Sequence, residues 1–228
     1  MNAIPIIALN DVEGLELSRF REMDYFVVEE YGIPIELMME NAGVHLAALT
    51  AFFADPADTI LIGIGDGNNG GGGLVAARRL AAWGYKVVLD MPVEISKPLP
   101  QLQLERALKF GAKETHTDNI DIWVDAYLGF SQKLPLSATY QERVVSANQS
   151  DCLKISLDIP TGFLGDPDKL YFEADHVLSL AAVKNILKYL PASTNIYLAD
   201  LGIPKTVYTK FGAPFPPFNK STILKIEK

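Results

Sequence analysis

Residues 61–80, LIGIGDGNNGGGGLVAARRL, decide how the rest of the chain is read. The apolar run from Thr59 to Ile64 stops at Gly65, and every residue from Gly65 to Gly73 except Asp66 is Gly or Asn. Leu74, Ala77, Ala81 and Gly84 then recur at helical spacing. The pattern predicts a strand, a glycine-rich turn and a helix over 71–83. Glycine tolerates positive φ and puts no side chain between backbone and ligand. The turn therefore presents bare N–H groups at a helix N-terminus, where an anionic ligand is favoured. Asn68 and Asn69 add amide donors and carbonyl acceptors that can orient a ligand or coordinate a cation.

Upstream, Asp11 to Tyr31 reads as a helix with Asp11 as a possible cap, and Leu15, Phe20, Met23, Phe26 and Val27 form its apolar stripe. Gly32 ends it, and a second helix follows over 35–53. In that helix Glu40 and Asn41 interrupt an apolar surface, either as a solvated edge or as support for the glycine-rich loop. Downstream come a strand at 86–89, a helix at 101–110 closed by Gly111, a strand at 121–125 and a helix at 138–147. Strands at 153–157, 175–180 and 195–199 complete the series. Strands alternating with helices, with no hairpin signal between the early ones, predict an α/β fold with a mostly parallel sheet in a single domain over 1–228. The proline-rich stretch 211–219, FGAPFPPFN, is expected to lie extended on the surface.

Composition narrows the function. A hydrophobic share of 49% in 228 residues can build a full core. No apolar run approaches the roughly 20 residues of a membrane helix. The first residues carry no basic leader and read as mature sequence. The one cysteine, Cys152, rules out an internal disulfide and suits a reducing, cytoplasmic compartment. His45 has no second histidine at ligand spacing and reads as structural. A net charge of −8 argues against a nucleic-acid partner, and local groups must attract any phosphate-bearing ligand.

Three acids, Asp125, Asp158 and Asp200, stand at the carboxyl ends of expected parallel strands, the edge where open α/β sheets bind ligands. Asp125 and Asp158 each lead directly into a glycine-containing loop, so both are candidate site residues. Asp200, before Leu-Gly-Ile-Pro, reads equally well as a turn residue. Gly65, Gly67 and Gly70 also satisfy G-x-G-x-x-G, with Asp90 placed as a ribose-binding acid would be. Two helices precede this strand, however, and the glycines run on to Gly73, so an oxidoreductase ranks third.

Taken in order, EEYGIP (29–34), LMMENAG (37–43), GDGNNGGGGL (65–74), VDAYLGFS (124–131), LDIPTG (157–162), ADHVLSL (174–180) with Lys184 after it, and ADLGIP (199–204) resemble the YjeF N-terminal domain family. The resemblance implies a Rossmann-like three-layer αβα sandwich. It also implies the activity for which the family is best known, NAD(P)H-hydrate epimerase. That reaction interconverts the R and S forms of hydrated NADH or NADPH (NADHX, NADPHX) at nicotinamide C6, in repair of damaged nucleotides. By resemblance, Asn68, Asn69, Gly70, Gly71, Gly72, Gly129, Phe130, Ser131, Gln132, Lys133, Leu134 and Pro135 line the dinucleotide, and Asp158 contacts it. Asn69, Asp125 and Thr161 match positions that hold a potassium ion, one per subunit. Lys133 and Lys184 are further candidates for attracting the phosphates.

Inverting C6 needs an acid/base, for which Asp125 and Asp158 are the candidates. A cation on Asp125 would lower its pKa and make it a poor acid, which favours Asp158 or a bound water. The resemblance further implies a homodimer, and a separate dehydratase as functional partner in place of the fused kinase-like domain of some relatives. No membrane or nucleic-acid partner is expected. The alternative is a non-catalytic module that binds a nucleotide-like ligand or a protein partner on the same fold. Gly72, where the family has Asp, favours that alternative and bears on substrate preference. Retention of Asn69, Asp125 and Asp158 favours the enzyme. Thr161 replaces the usual Ser and keeps the hydroxyl, and Val183 replaces the usual Pro before Lys184, which is expected to loosen that turn.

Overall fold

Strands and helices alternate along almost the whole chain. The structure, a computed structural model, describes residues 3–9, 12, 14–115, 117 and 119–227. In order it contains β1 (Ile6–Ala8), α1 (Leu17–Tyr31), α2 (Ile35–Phe53), β2 (Thr59–Ile64), α3 (Asn68–Ala82), β3 (Lys86–Asp90), α4 (Pro98–Lys109), β4 (Ile122–Ala126) and α5 (Ala138–Gln149). Then follow β5 (Leu153–Leu157), β6 (His176–Leu180), a 3-10 turn (Asn185–Tyr189), β7 (Asn195–Ala199), α6 (Lys205–Phe211) and β8 (Ile223–Glu227). The strands form one sheet in the order β1-β8-β7-β6-β5-β4-β2-β3. Those from β3 to β7 are parallel to one another, while β8 joins β7 antiparallel and carries β1 with it.

Alternate residues along each strand feed two apolar cores. On one face α2, α3 and α4 pack through Leu46, Leu74, Leu80 and Ala107 onto Ile62, Val87 and Val124. On the other, α1, α5 and α6 pack through Phe20, Met23, Val144 and Tyr208 onto Trp123, Val177 and Leu198. This is the three-layer αβα sandwich with a mostly parallel sheet. Among the described residues no helix is long and apolar enough to cross a membrane.

The sheet order matters for function. After β2 the chain steps outward to β3, then returns to place β4 on the other side of β2. That reversal opens a crevice between the loops leaving β2 and β4.

Several details differ from the sequence expectations. Helix α1 begins at Leu17 rather than near Asp11, which lies outside the described residues. Leu15, expected on the helical stripe, is instead extended and bridges Lys184: the Leu15 amide donates to Val183 O at 2.8 Å, and the Asn185 amide to Leu15 O at 2.9 Å. The turn that Val183 was expected to loosen is therefore tied down from the N-terminal side. Strands β1 and β8 were not anticipated. Within 211–219, Phe211, Ala213 and Phe218 are buried, with Phe215 edge-on to Tyr208 and Phe218.

Helix α3 begins at Asn68, three residues before the expected 71, and so takes in Asn68–Gly70 of the expected turn. Its glycines serve close approach. A Cβ on Gly70 would lie 1.9 Å from the Gly65 carbonyl oxygen, one on Gly71 2.5 Å from the Met39 side chain, and one on Gly73 2.6 Å from Ala126 Cβ. Because the obstacle at Gly70 is backbone, Gly70→Ala should destabilise the fold by about 2 kcal/mol or more, read as a lowered denaturant midpoint with unchanged slope.

Candidate functional site

The crevice at the β2/β4 reversal is a cleft of about 640 Å³. Gly67, Asn68 and Asn69 at the start of α3 form one side, and residues 127–132 after β4 form another. Leu157 and Asp158 at the end of β5 form the floor. Helices cover it with Phe20, Asp24 and Tyr25 from α1 and Met38 and Met39 from α2, while Lys97 stands at the rim.

Asn69 joins the two loops that face each other. Its amide donates to Leu128 O at 2.9 Å and Leu157 O at 3.4 Å. Beneath it Asp125 is completely buried. One carboxylate oxygen accepts from Thr161 Oγ1 at 2.7 Å and Tyr127 N at 3.2 Å, the other from Ser156 Oγ at 2.9 Å and Thr161 N at 2.8 Å. Thr161 Oγ1 in turn accepts from Leu128 N at 3.2 Å. Burial pushes the Asp125 carboxyl up to about 6, and the donors from Thr161, Ser156 and Tyr127 pull the other way. Its partners are all neutral.

Asp158 is built differently. It sits in the left-handed region at φ 69°, which turns its side chain from the end of β5 into the cleft. One oxygen accepts from Lys184 Nζ at 2.5 Å and the other from Phe130 N at 3.0 Å. Lys184 is fully buried, donates also to Leu180 O at 2.7 Å, and lies 3.8 Å above the Phe20 ring. Burial holds its ammonium below the ordinary lysine range, against the attraction of Asp158 and Asp24.

The structure thus brings Asn68, Asn69, Gly129, Phe130, Ser131, Gln132 and Asp158 around one cavity, with Asp125 and Thr161 immediately behind it. Gly70, Gly71 and Gly72 lie in the first turn of α3, buried against α2 and the sheet, and do not line the cavity. Lys133, Leu134 and Pro135 are exposed and also outside the lining. Asp200 is a turn residue whose Oδ1 accepts from Gly202 N at 2.8 Å, and Asn41 supports the same loop through Leu201 O at 3.1 Å. Glu40 ties α2 to Arg78 and Arg79 on α3. Asp90 is held by Tyr127 Oη at 2.5 Å and Arg143 Nε at 3.0 Å and lies outside the cavity lining. Asp24, Tyr25, Met38, Met39 and Lys97 were not identified from sequence. For Asp24 the signal was present, since it stands one turn after Phe20 on an otherwise apolar helix face.

A family model described as YjeF-related protein N-terminus matches residues 35–186. The chain is 33% identical over 215 residues to a protein of Rhodopirellula baltica named NAD(P)H-hydrate epimerase, covering 85% of this chain and 86% of that one. It is 35% identical over 205 residues to the protein of that name from Dehalogenimonas lykanthroporepellens, covering 84% and 83%. The crystal structure of yeast ynu0 matches with a TM-score of 0.83 at 24% identity, over 93% of this chain and 99% of that one.

Proposed function

Because the chain belongs to the YjeF-related N-terminal family, we propose that it is an NAD(P)H-hydrate epimerase whose acid/base is Asp158. The observation that supports this most directly is the Asp158–Lys184 pair on the cleft floor, opposite Asn68 and Asn69. C6 of the hydrate carries a hydroxyl and is bonded to the ring nitrogen. The nitrogen lone pair can expel that oxygen, leaving an iminium-like carbon, provided the departing hydroxyl is protonated. Water then adds to the other face and loses a proton. Lys184 fixes one oxygen of Asp158, while Phe130 N fixes the other. The apolar walls from Phe20, Met38 and Met39 exclude bulk water, which strengthens these interactions.

The test mixes the R epimer of either hydrate with an S-specific dehydratase. Added protein should speed full recovery of NADH or NADPH. Recovery unchanged from the protein-free rate would overturn the epimerase. The dehydratase in that assay is also the reaction class that must consume the product. At Gly72 an added Cβ would lie 3.1 Å from Leu157 Cδ2 and 3.7 Å from Ala42 Cβ, outside the cavity lining.

We further propose that Asn69, Asp125 and Thr161 hold a potassium ion. A fully buried carboxylate among neutral donors is costly, and the carbonyls of Leu128 and Leu157 converge on the same Asn69 amide. An all-oxygen set of this kind suits a hard monovalent cation. When bound, the ion supplies a positive charge behind the loop that faces the dinucleotide phosphates. The pH dependence follows from Asp125. A carboxyl whose folded pKa is raised to about 6 stabilises the fold fully at pH below its unfolded value. That stabilisation is lost as pH rises through the folded value. Without small cations the fold should therefore weaken between about pH 4 and 6. Potassium should reverse the loss above that range. The difference in unfolding midpoint between potassium and tetramethylammonium buffers should be small at low pH, largest near neutrality and absent in Asp125→Asn.

A further inference from the structure

Epimerisation places two demands at one carbon: a proton must be delivered to the hydroxyl leaving one face, and another removed from the water adding to the opposite face. Asp158 is anchored at its position by Lys184 and Phe130 N and cannot swing around a bound ring. A second carboxyl enters the same cleft from a different wall. Asp24 stands on α1, one turn after Phe20, which roofs Lys184. Among the described residues Asp24 makes no hydrogen bond or ion pair of its own. We propose, on the epimerase reading above, that Asp24 is the second acid/base, serving the face of C6 that Asp158 does not.

The two environments differ in the direction this division of labour needs. Asp158 is bonded to the buried ammonium of Lys184, a partner that Asp24 lacks. Burial raises the Asp24 carboxyl above the ordinary range, Lys184 pulls it down from a distance, and the charge of Asp158 pushes it up. A carboxyl held protonated to higher pH in this way is the better proton donor. In one direction the Asp24 carboxylic acid gives its proton to the C6 hydroxyl. The C6–O bond breaks and its electron pair leaves with water, while the ring-nitrogen lone pair forms the N=C bond. A water on the opposite face bonds to C6, returns that π pair to nitrogen and gives its proton to Asp158. The reverse reaction exchanges the roles, and bulk water at the cleft mouth returns the proton from Asp158 to Asp24.

Asp24→Asn should lower kcat by about 10²-fold and shift KM by no more than about twofold. Its residual activity should lose the fall at high pH that marks deprotonation of the acid. The other charged groups facing this cavity are Glu29, Asp66 and Lys97, with Asp66 already engaged by Ser96 and the Lys97 amide. Asp24→Glu should recover part of the rate, and affinity for unhydrated NADPH, measured by calorimetry, should be unchanged in both variants. An active wild type with unaltered kcat and pH profile in Asp24→Asn would overturn this assignment alone. A wild type inactive on both hydrates would overturn it together with the epimerase reading.

Discussion

Asp158→Asn should reduce kcat for epimerisation by about 10²–10⁴-fold, the range a positioned acid/base contributes, with little change in affinity for unhydrated NADPH. Asparagine is the informative substitution for a backbone reason. Position 158 has φ 69°, and Asn is one of the few residues that accept the left-handed region. Alanine there would mix a conformational penalty into the result. The amide preserves the shape of the carboxylate and can still accept from Phe130 N, so the cleft floor should keep its form. What the variant loses is the ability to take and return a proton, together with the charge that pairs with Lys184. A wild-type rate in a folded Asp158→Asn protein, checked by circular dichroism, would remove Asp158 from the chemistry.

The parts of this molecule that were legible in the sequence are those written in local, periodic signals. The buried parallel strands are short apolar runs, of which β2, β4 and β5 run to Gly65, Asp125 and Asp158, and they predicted both the sheet and the edge that carries the cleft. The strands that were missed lack such signals. Strand β1 is three residues long, and β8 buries Ile223, Leu224 and Ile226 around a half-buried Lys225, a pattern too short and irregular to read as a strand. The start of α3 was placed at Gly71, with Asn68 to Gly70 left to the turn, because glycine is a poor helix former. The helical conformation of the glycine run follows from what surrounds it, Met39 on one side and Ala126 on the other, and no local propensity contains that information. Lys184 shows the same limit at the site. As a residue type it belongs on the surface, and only the bridge from Leu15 to residue 184 and the ring of Phe20 explain its burial. Asp24 could have been found, because an acid on an apolar helical stripe calls for an explanation.

Lys184→Met should cost about 3–5 kcal/mol of stability near neutral pH, the usual penalty for removing one partner of a buried ion pair. Methionine matches the length of the lysine stem and can keep the contact with Phe20, so cavity formation adds little. The loss comes from Asp158, which is only 2% exposed and would retain a single hydrogen bond, from Phe130 N. Replacing both members of a buried pair by neutral groups is commonly far less damaging than removing one. The double variant Asp158→Asn with Lys184→Met should therefore recover at least half of the lost stability while remaining as inactive as Asp158→Asn alone. Denaturant titration of the wild type, both single variants and the double variant gives the coupling energy directly. Additive effects in that cycle would mean that Lys184 contributes through packing alone, and the ion pair would then have no part in holding Asp158 ready on the floor of the cleft.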